Sequence, residues 1–199
     1  MERIARGEYA VGAMLPKEER LAEELDVSRG VVRECIRALE ERGVVRVRHG
    51  RGATVLPARA WNVLDPTVFA AVHDAPGGRR LAAEAAEARA IVLGQAAELA
   101  AARGRPEGLR ALTAAVEAVE AAPDDARAGA AAAEFERALV DAAGNRPLGR
   151  VAAALADVAG RADRGSYRAV LDAVRAGDGP GARGAMESVL RGRTSTAAG

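Results

Sequence analysis

Three arginines at a four-residue spacing, Arg29, Arg33 and Arg37, carry the chemistry most open to reading in this sequence. On a helix, positions i, i+4 and i+8 share one side, so these guanidinium groups form a row that can donate to phosphates and to guanine acceptors in a DNA major groove. The surrounding residues supply the helix. Ser28 is a good N-cap, and Val27 before it can staple against Val32. Val32, Ile36 and Leu39 recur at helical spacing as an inward stripe on the side away from the arginines. Gly43 stands where a left-handed C-terminal cap is wanted. Val44–Arg48 and Ala53–Leu56 then read as two strands, joined by a turn of His49, Gly50, Arg51 and Gly52 whose glycines permit positive φ. A helix followed by a two-stranded wing with a basic tip suits DNA. The plainer alternative is an arginine-rich helix face that simply meets solvent.

The elements that must hold this helix precede it. Met1–Tyr9 is a short amphipathic opening anchored by Ile4, broken by Gly12 and Pro16. The next helix, Lys17–Leu25, turns Leu21, Ala22 and Leu25 inward, and Asp26-Val27 makes a tight turn. Charge is segregated along this stretch. Glu2–Asp26 holds four basic and seven acidic residues, whereas Val27–Arg59 holds eight basic and three acidic, although the whole chain of 199 residues is formally only +1. Positive charge concentrated on the helix and wing is the footprint of a phosphate-binding surface. Cys35 is the single cysteine, which excludes an intrachain disulfide, and it is expected as a small core residue beside the apolar stripe. No apolar run reaches the roughly 18 residues of a membrane helix, and no signal-peptide pattern opens the chain, so a cytoplasmic protein is expected.

The stretch Gly7–Val55, GEYAVGAMLPKEERLAEELDVSRGVVRECIRALEERGVVRVRHGRGATV, resembles the winged-helix domain of the GntR family of bacterial transcription regulators. The resemblance implies that Arg29 and Arg33 read bases or phosphates in the major groove and that His49, Gly50 and Arg51 form a wing tip reaching the minor groove. Two departures stand out. Where the family has Ser-Glu-Arg this chain has Lys17-Glu18-Glu19, with the arginine displaced to Arg20; an acidic Glu19 cannot bond to phosphate or to guanine acceptors, so Lys17 or Arg20 substitutes or the preferred operator differs. Gly30 replaces a common Thr, which removes a hydroxyl but lets the backbone N–H approach the sugar-phosphate. The expected DNA contacts are Lys17, Arg20, Ser28, Arg29, Gly30, Arg33, His49, Gly50, Arg51 and Gly52.

Beyond a short linker the pattern is helical and alanine-rich. Helices fall at Thr67–His73, Arg79–Arg103, Pro106–Glu120, Asp124–Ala143, Pro147–Ala162, Gly165–Ala176 and Gly179–Gly192, separated by Gly, Pro and Asn stops, which reads as an antiparallel bundle. This half resembles the FCD effector domain of the FadR branch of the family. The residues carrying that likeness are Trp61–Pro66, Glu87-x-Arg89, Phe135 to Asn145 and Arg168 to Asp178. The fold expected is therefore mostly α: an N-terminal winged helix-turn-helix with a small β-hairpin wing over residues 1–57, a linker at 58–66, and an all-α antiparallel FCD-like bundle for effector binding and dimerisation over 67–199.

Many FCD domains hold a divalent metal through one Asp and three His. The resemblance puts those ligands at Ala132, Glu136, Tyr167 and Val189; one carboxylate does not hold a transition metal, so no metal and no other cofactor is expected. The two histidines lie elsewhere, His49 in the wing and His73 in the first bundle helix, where a surface or packing role is expected. If the fold is kept, Arg89, Glu136 and Tyr167 face one cavity and, with Asn145, form a polar effector site. Alternatively Arg89 and Glu136 neutralise each other as a buried pair, and Asn145 is a helix cap.

These readings converge on a sequence-specific transcription regulator, a repressor in its commonest form, binding a palindromic operator as a homodimer. A small-molecule effector, with an organic acid among the candidates, would modulate it. An effector-independent regulator with a degenerate sensor site is the alternative. An enzyme is not expected: Ser166 and Tyr167 have no histidine near them in sequence, and neither a phosphate loop nor a metal constellation is present.

Overall fold

The computed structural model describes residues 1–48, 50–156 and 166–196. His49 lies outside the described residues, as does the stretch 157–165 into which the helix expected over Pro147–Ala162 runs. The chain divides into two compact units, Met1–Leu81 and Ala82–Gly199.

The first unit runs α1 (Glu2–Ala5), α2 (Glu18–Leu25), α3 (Arg29–Glu41), β1 (Val45–Arg48), β2 (Gly52–Val55), a short 3₁₀ turn (Ala58–Ala60) and α4 (Pro66–His73). Asp26 takes the left-handed conformation, φ 51°, between α2 and α3. The Ser28 hydroxyl then accepts from the Val31 N–H at 3.3 Å and caps α3. At its other end, α3 stops through Gly43. The Gly43 N–H bonds to the Glu40 carbonyl and the Val44 N–H to the Leu39 carbonyl, both at 2.9 Å, the paired 5→2 and 6→1 bonds of a Schellman cap. Gly43 has φ 70°, and a β-carbon there would sit 2.3 Å from the Ala60 carbonyl oxygen, so only glycine fits.

The wing is an antiparallel pair in which Val45 faces Val55 and Arg48 faces Gly52. A third segment, not legible in the sequence, lies on the far side of β2. Gly12 and Leu15 donate to the Val55 and Ala53 carbonyls, at 2.9 and 2.8 Å, and Met14 bridges Thr54. Ile4, Val44, Val45, Ala53, Val55 and Val68 form the core of this unit. Val68 belongs to α4, so α4 packs here, although its sequence reads as the first helix of the bundle. A smaller corner of Leu21, Ala22 and Val32, backed by half-buried Ile36, joins α2 to α3.

Two expectations fail at that corner. Leu25 is 51% exposed rather than inward, and Cys35 is exposed rather than core. Three buried residues make a corner too shallow to cover a whole helical stripe, and α3 itself buries only Val32.

The second unit is all helical in its described residues: α5 (Gly78–Arg103), α6 (Pro106–Ala121), α7 (Asp125–Ala143), α8 (Arg146–Ala154), α9 (Ser166–Ala176) and α10 (Gly179–Thr196). α6 packs on α7, α9 on α10 and α6 on α9. Small residues permit close approach: a β-carbon on Gly108 of α6 would meet the Ala142 Cβ of α7 at 2.7 Å. Phe135 and Tyr167 meet edge to face at 4.8 Å in the centre, where such aromatic pairs add to ordinary burial. Arg168 bridges α9 to α6 through Glu120 at 3.0 Å, which holds the Glu120 carboxyl below its ordinary value.

Arg42 and Asp65 tie the end of α3 to the start of α4. Arg42 Nε donates to Asp65 Oδ2 at 3.0 Å, and Asp65 Oδ1 caps α4 by accepting from the Thr67 and Val68 N–H groups at 2.9 and 3.2 Å. Burial pushes the Asp65 carboxyl up, but the Arg42 hydrogen bond and the two amides outweigh it and hold the group below its ordinary value of 3.8. A depressed folded-state value contributes stability that is present above the unfolded value and lost as pH falls through the folded one. Asp65→Ala should therefore destabilise the first unit by about 1–2 kcal/mol at neutral pH. In urea melts followed by Trp61 fluorescence the gap between wild type and Asp65→Asn should narrow below about pH 4; an equal gap at pH 7 and pH 2.5 would contradict this assignment.

Candidate functional site

The arginine row lies on the outside of α3. The Arg29, Arg33 and Arg37 side chains are 65%, 69% and 71% exposed, while Val32 faces inward. The row is not bare. Arg29 Nη1 donates to Glu19 Oε1 at 3.2 Å, and Arg33 holds Glu18 Oε2 through Nε and Nη2 at 3.2 and 3.0 Å. The Glu18 hydrogen bond raises the Arg33 guanidinium above its already high ordinary value, so Arg33 is cationic at every accessible pH. Arg20 is turned to Glu24 at 2.8 Å, and Lys17 sits exposed at the N-cap of α2. Exposed pairs of this kind are screened by solvent and weak, so a phosphate or base edge can displace them.

Ser28 is spent as the α3 cap, and beside it Gly30 is exposed, with only the Ser28 hydroxyl within 4 Å of where a β-carbon would be. Val31, 50% exposed in the first turn of α3, was not singled out by the sequence pattern, since an exposed valine between two arginines gives no periodic signal. Its methyls suit a thymine methyl group.

The wing tip continues the basic surface. Gly50 and Gly52 take φ 72° and 88°, and the Arg51 N–H closes the turn on the Arg48 carbonyl at 2.9 Å. Arg46, Arg48 and Arg51 are all exposed. The Glu40 carboxylate accepts from the Val47 N–H at 2.8 Å, which ties this strand back to the recognition helix. Helix and wing are thus one basic body with two presenting edges.

The second unit contains a cavity of about 940 Å³ lined by α5, α7 and α8 residues. Arg89, Glu136 and Asn145 line it; Tyr167, fully buried against Phe135, does not. Arg89 and Glu136 are 4% and 7% exposed and hydrogen-bond to each other directly, and Arg89 also reaches the Ala156 carbonyl at 3.5 Å. Asn145 caps α8 by accepting from the Leu148 N–H at 3.2 Å. Among the described residues, Arg105, Arg137, Arg146 and Arg150 line the same cavity against one further carboxylate, that of Asp141, so the described part of its wall is cationic.

The metal that FCD-like helices can hold does not fit here. Ala132 and Val189, wholly buried, offer no donor atom, and among the described residues no three His, Cys, Asp or Glu side chains come together as a ligand set. His73 stacks on Phe69 at 6.0 Å, a packing role.

Comparison with known proteins agrees with this layout. Residues 1–55 match the model for bacterial regulatory proteins of the gntR family, and residues 84–192 match the FCD domain. An uncharacterised HTH-type transcriptional regulator of Mycobacterium tuberculosis is 33% identical over 200 residues, covering 94% of this chain and 81% of that one. The galactonate operon transcriptional repressor of Escherichia coli is 35% identical over 91 residues, 46% of this chain and 40% of the relative. Among solved structures, a GntR protein of Streptococcus agalactiae superposes with TM-score 0.54 at 26% identity over 98% of this chain and all (100%) of that one. Lar of Listeria monocytogenes shares the fold at TM-score 0.61 and 20% identity, over 99% and 92% of the two chains. A basic winged helix-turn-helix followed by an FCD helical domain, matched across nearly its whole length by a transcriptional regulator, places this chain in the GntR family of DNA-binding transcriptional regulators.

Proposed function

We propose that this regulator binds a palindromic operator as a homodimer and represses transcription, with its DNA affinity set by a small anionic effector held in the helical unit without a metal. The observation that carries the reading is the guanidinium row of α3, about two-thirds exposed at every position while Val32 of the same helix turns inward. In this reading Arg29 and Arg33 reach base edges and phosphates, Gly30 lets the backbone approach, and Ser28 fixes the helix start. Lys17 and Arg20 at the head of α2 take flanking phosphates. Gly50, Arg51 and Gly52 form the wing tip over the minor groove.

A two-fold axis through paired helical units would present two such surfaces one helical turn of DNA apart, which is why the operator should be palindromic. In this reading residues 1–57 make the DNA contacts and 58–66 are the link; of the 67–199 stretch read as the effector and dimerisation domain, α4 packs on the first unit, so those roles fall to the helices of the second. Repression is supported by the name of the galactonate operon relative, and the effector by the cationic cavity. There Arg89, Glu136 and Asn145 stand among the polar groups, Tyr167 lies buried on Phe135 outside the lining, and the surplus of arginines favours an organic acid. An effector acts only through unequal affinity for the two DNA-binding arrangements.

The Arg89–Glu136 pair favours a second reading. Each side chain already neutralises the other, so the cavity needs no ligand for its own stability, and a regulator without an effector is consistent with it.

Arg33→Ala should weaken operator binding by at least about tenfold and reduce the slope of log affinity against log salt by about one, read by fluorescence anisotropy across a salt series. Unchanged affinity and slope would remove Arg33 from the interface. Glu136→Ala strands a buried guanidinium and should cost about 3–5 kcal/mol in a urea melt, most of it regained in Arg89→Met/Glu136→Leu. Small carboxylates and sugar acids should raise the melting temperature and release operator DNA; a panel that does neither favours the effector-free reading.

A further inference from the structure

We infer that Glu19 and Arg29 act together as a reader of one G·C base pair, Arg29 taking the guanine and Glu19 the cytosine. The inference rests on the reading in which α3 enters the major groove. Arg29 is the first residue of α3, and the N-terminal end of a recognition helix is the end that meets base edges. Glu19, the second residue of α2, stands beside it, joined through Arg29 Nη1 and Glu19 Oε1 at 3.2 Å.

That bond uses one N–H and one carboxylate oxygen. The guanidinium keeps its remaining N–H groups, and Glu19 keeps Oε2. A cationic donor fork and an anionic acceptor are therefore presented side by side, 65% and 51% exposed. In the major groove a G·C pair offers the matching sequence: the guanine N7 and O6 acceptors, then the cytosine N4 donor. An A·T pair has no two adjacent acceptors for the fork. The neighbouring pair is built differently, because Arg33 grips Glu18 with both Nε and Nη2. Glu19 alone would face phosphates and guanine acceptors unfavourably. Paired with Arg29, it meets one of the few groups in the groove that donate, and its partner neutralises its charge during approach.

The test is selection of binding sites from a random-sequence duplex library by the full-length wild type, Glu19→Ala and Glu19→Gln. Wild-type sites should carry a fixed G·C pair in each half-site. In Glu19→Ala the preference at that pair should fall on the order of tenfold, with the other positions retained and affinity for unrelated duplex increased by loss of a negative charge. Glu19→Gln preserves size, so it folds even if the alanine variant does not; its added donor should widen that position towards adenine. If both variants bind every sequence more tightly with wild-type base preferences intact, Glu19 is only a repulsive charge and the inference fails while the groove reading stands. If wild type selects no sequence, both fail.

Discussion

The left-handed turn at Gly43 is the constraint on which the DNA-facing half depends. It ends α3 through two backbone bonds and sends the chain straight into β1, with the Ala60 carbonyl lying where any side chain would need to be. From the same corner the Arg42 carbonyl accepts from the Asn62 N–H at 2.8 Å, and the Arg42 side chain reaches Asp65. Recognition helix, wing and the start of α4 are consequently fixed to one another by hydrogen bonds and by a core of valines. In the proposed docking, with α3 in one groove and the wing over the other, fixed spacing of that kind is what binding needs, since ordering loose parts on binding would cost affinity.

Electrostatics then decides how that rigid surface behaves. The basic residues of α3 and the wing point outward, but α2 supplies carboxylates that meet Arg29 and Arg33 before any ligand arrives. In water such pairs are weak and exchange readily. Against a polyanion they moderate the attraction that every sequence of DNA exerts equally, and leave directional hydrogen bonding to distinguish one sequence from another. The chain's near-zero formal charge of +1 is thus a poor guide to its partner; the distribution along the fold is the informative quantity.

Much of this was legible in the sequence because it depends on local signals. Ser28, Gly43 and the valine and arginine spacings specify α3 and its outward row, and the glycines at 50 and 52 specify the wing turn. What escaped was set by packing depth or by distant partners. Cys35 and Leu25 sit at plausible apolar positions, yet too few residues cover that corner to bury them. The strand-like pairing of Gly12–Leu15 on β2 has no alternating pattern of its own. The Glu18 and Glu19 partnerships join residues 15 and 10 positions apart, beyond any helical repeat. In the helical unit the buried Arg89–Glu136 pair is one of two options the sequence offers, whereas the cationic lining of the cavity comes from Arg105 at the start of α6, Arg137 within α7 and Arg146 and Arg150 of α8, which share no sequence motif.

In the proposed complex the first residues of α3 lie in the major groove, against guanine edges. Methylation interference on the selected operator tests it most directly, because methylating guanine N7 blocks a major-groove acceptor and leaves the minor groove untouched. Two symmetrically placed guanines, one in each half-site, should be those whose N7 methylation abolishes binding. Interference confined to adenine N3 in the minor groove, or absent altogether, would contradict it.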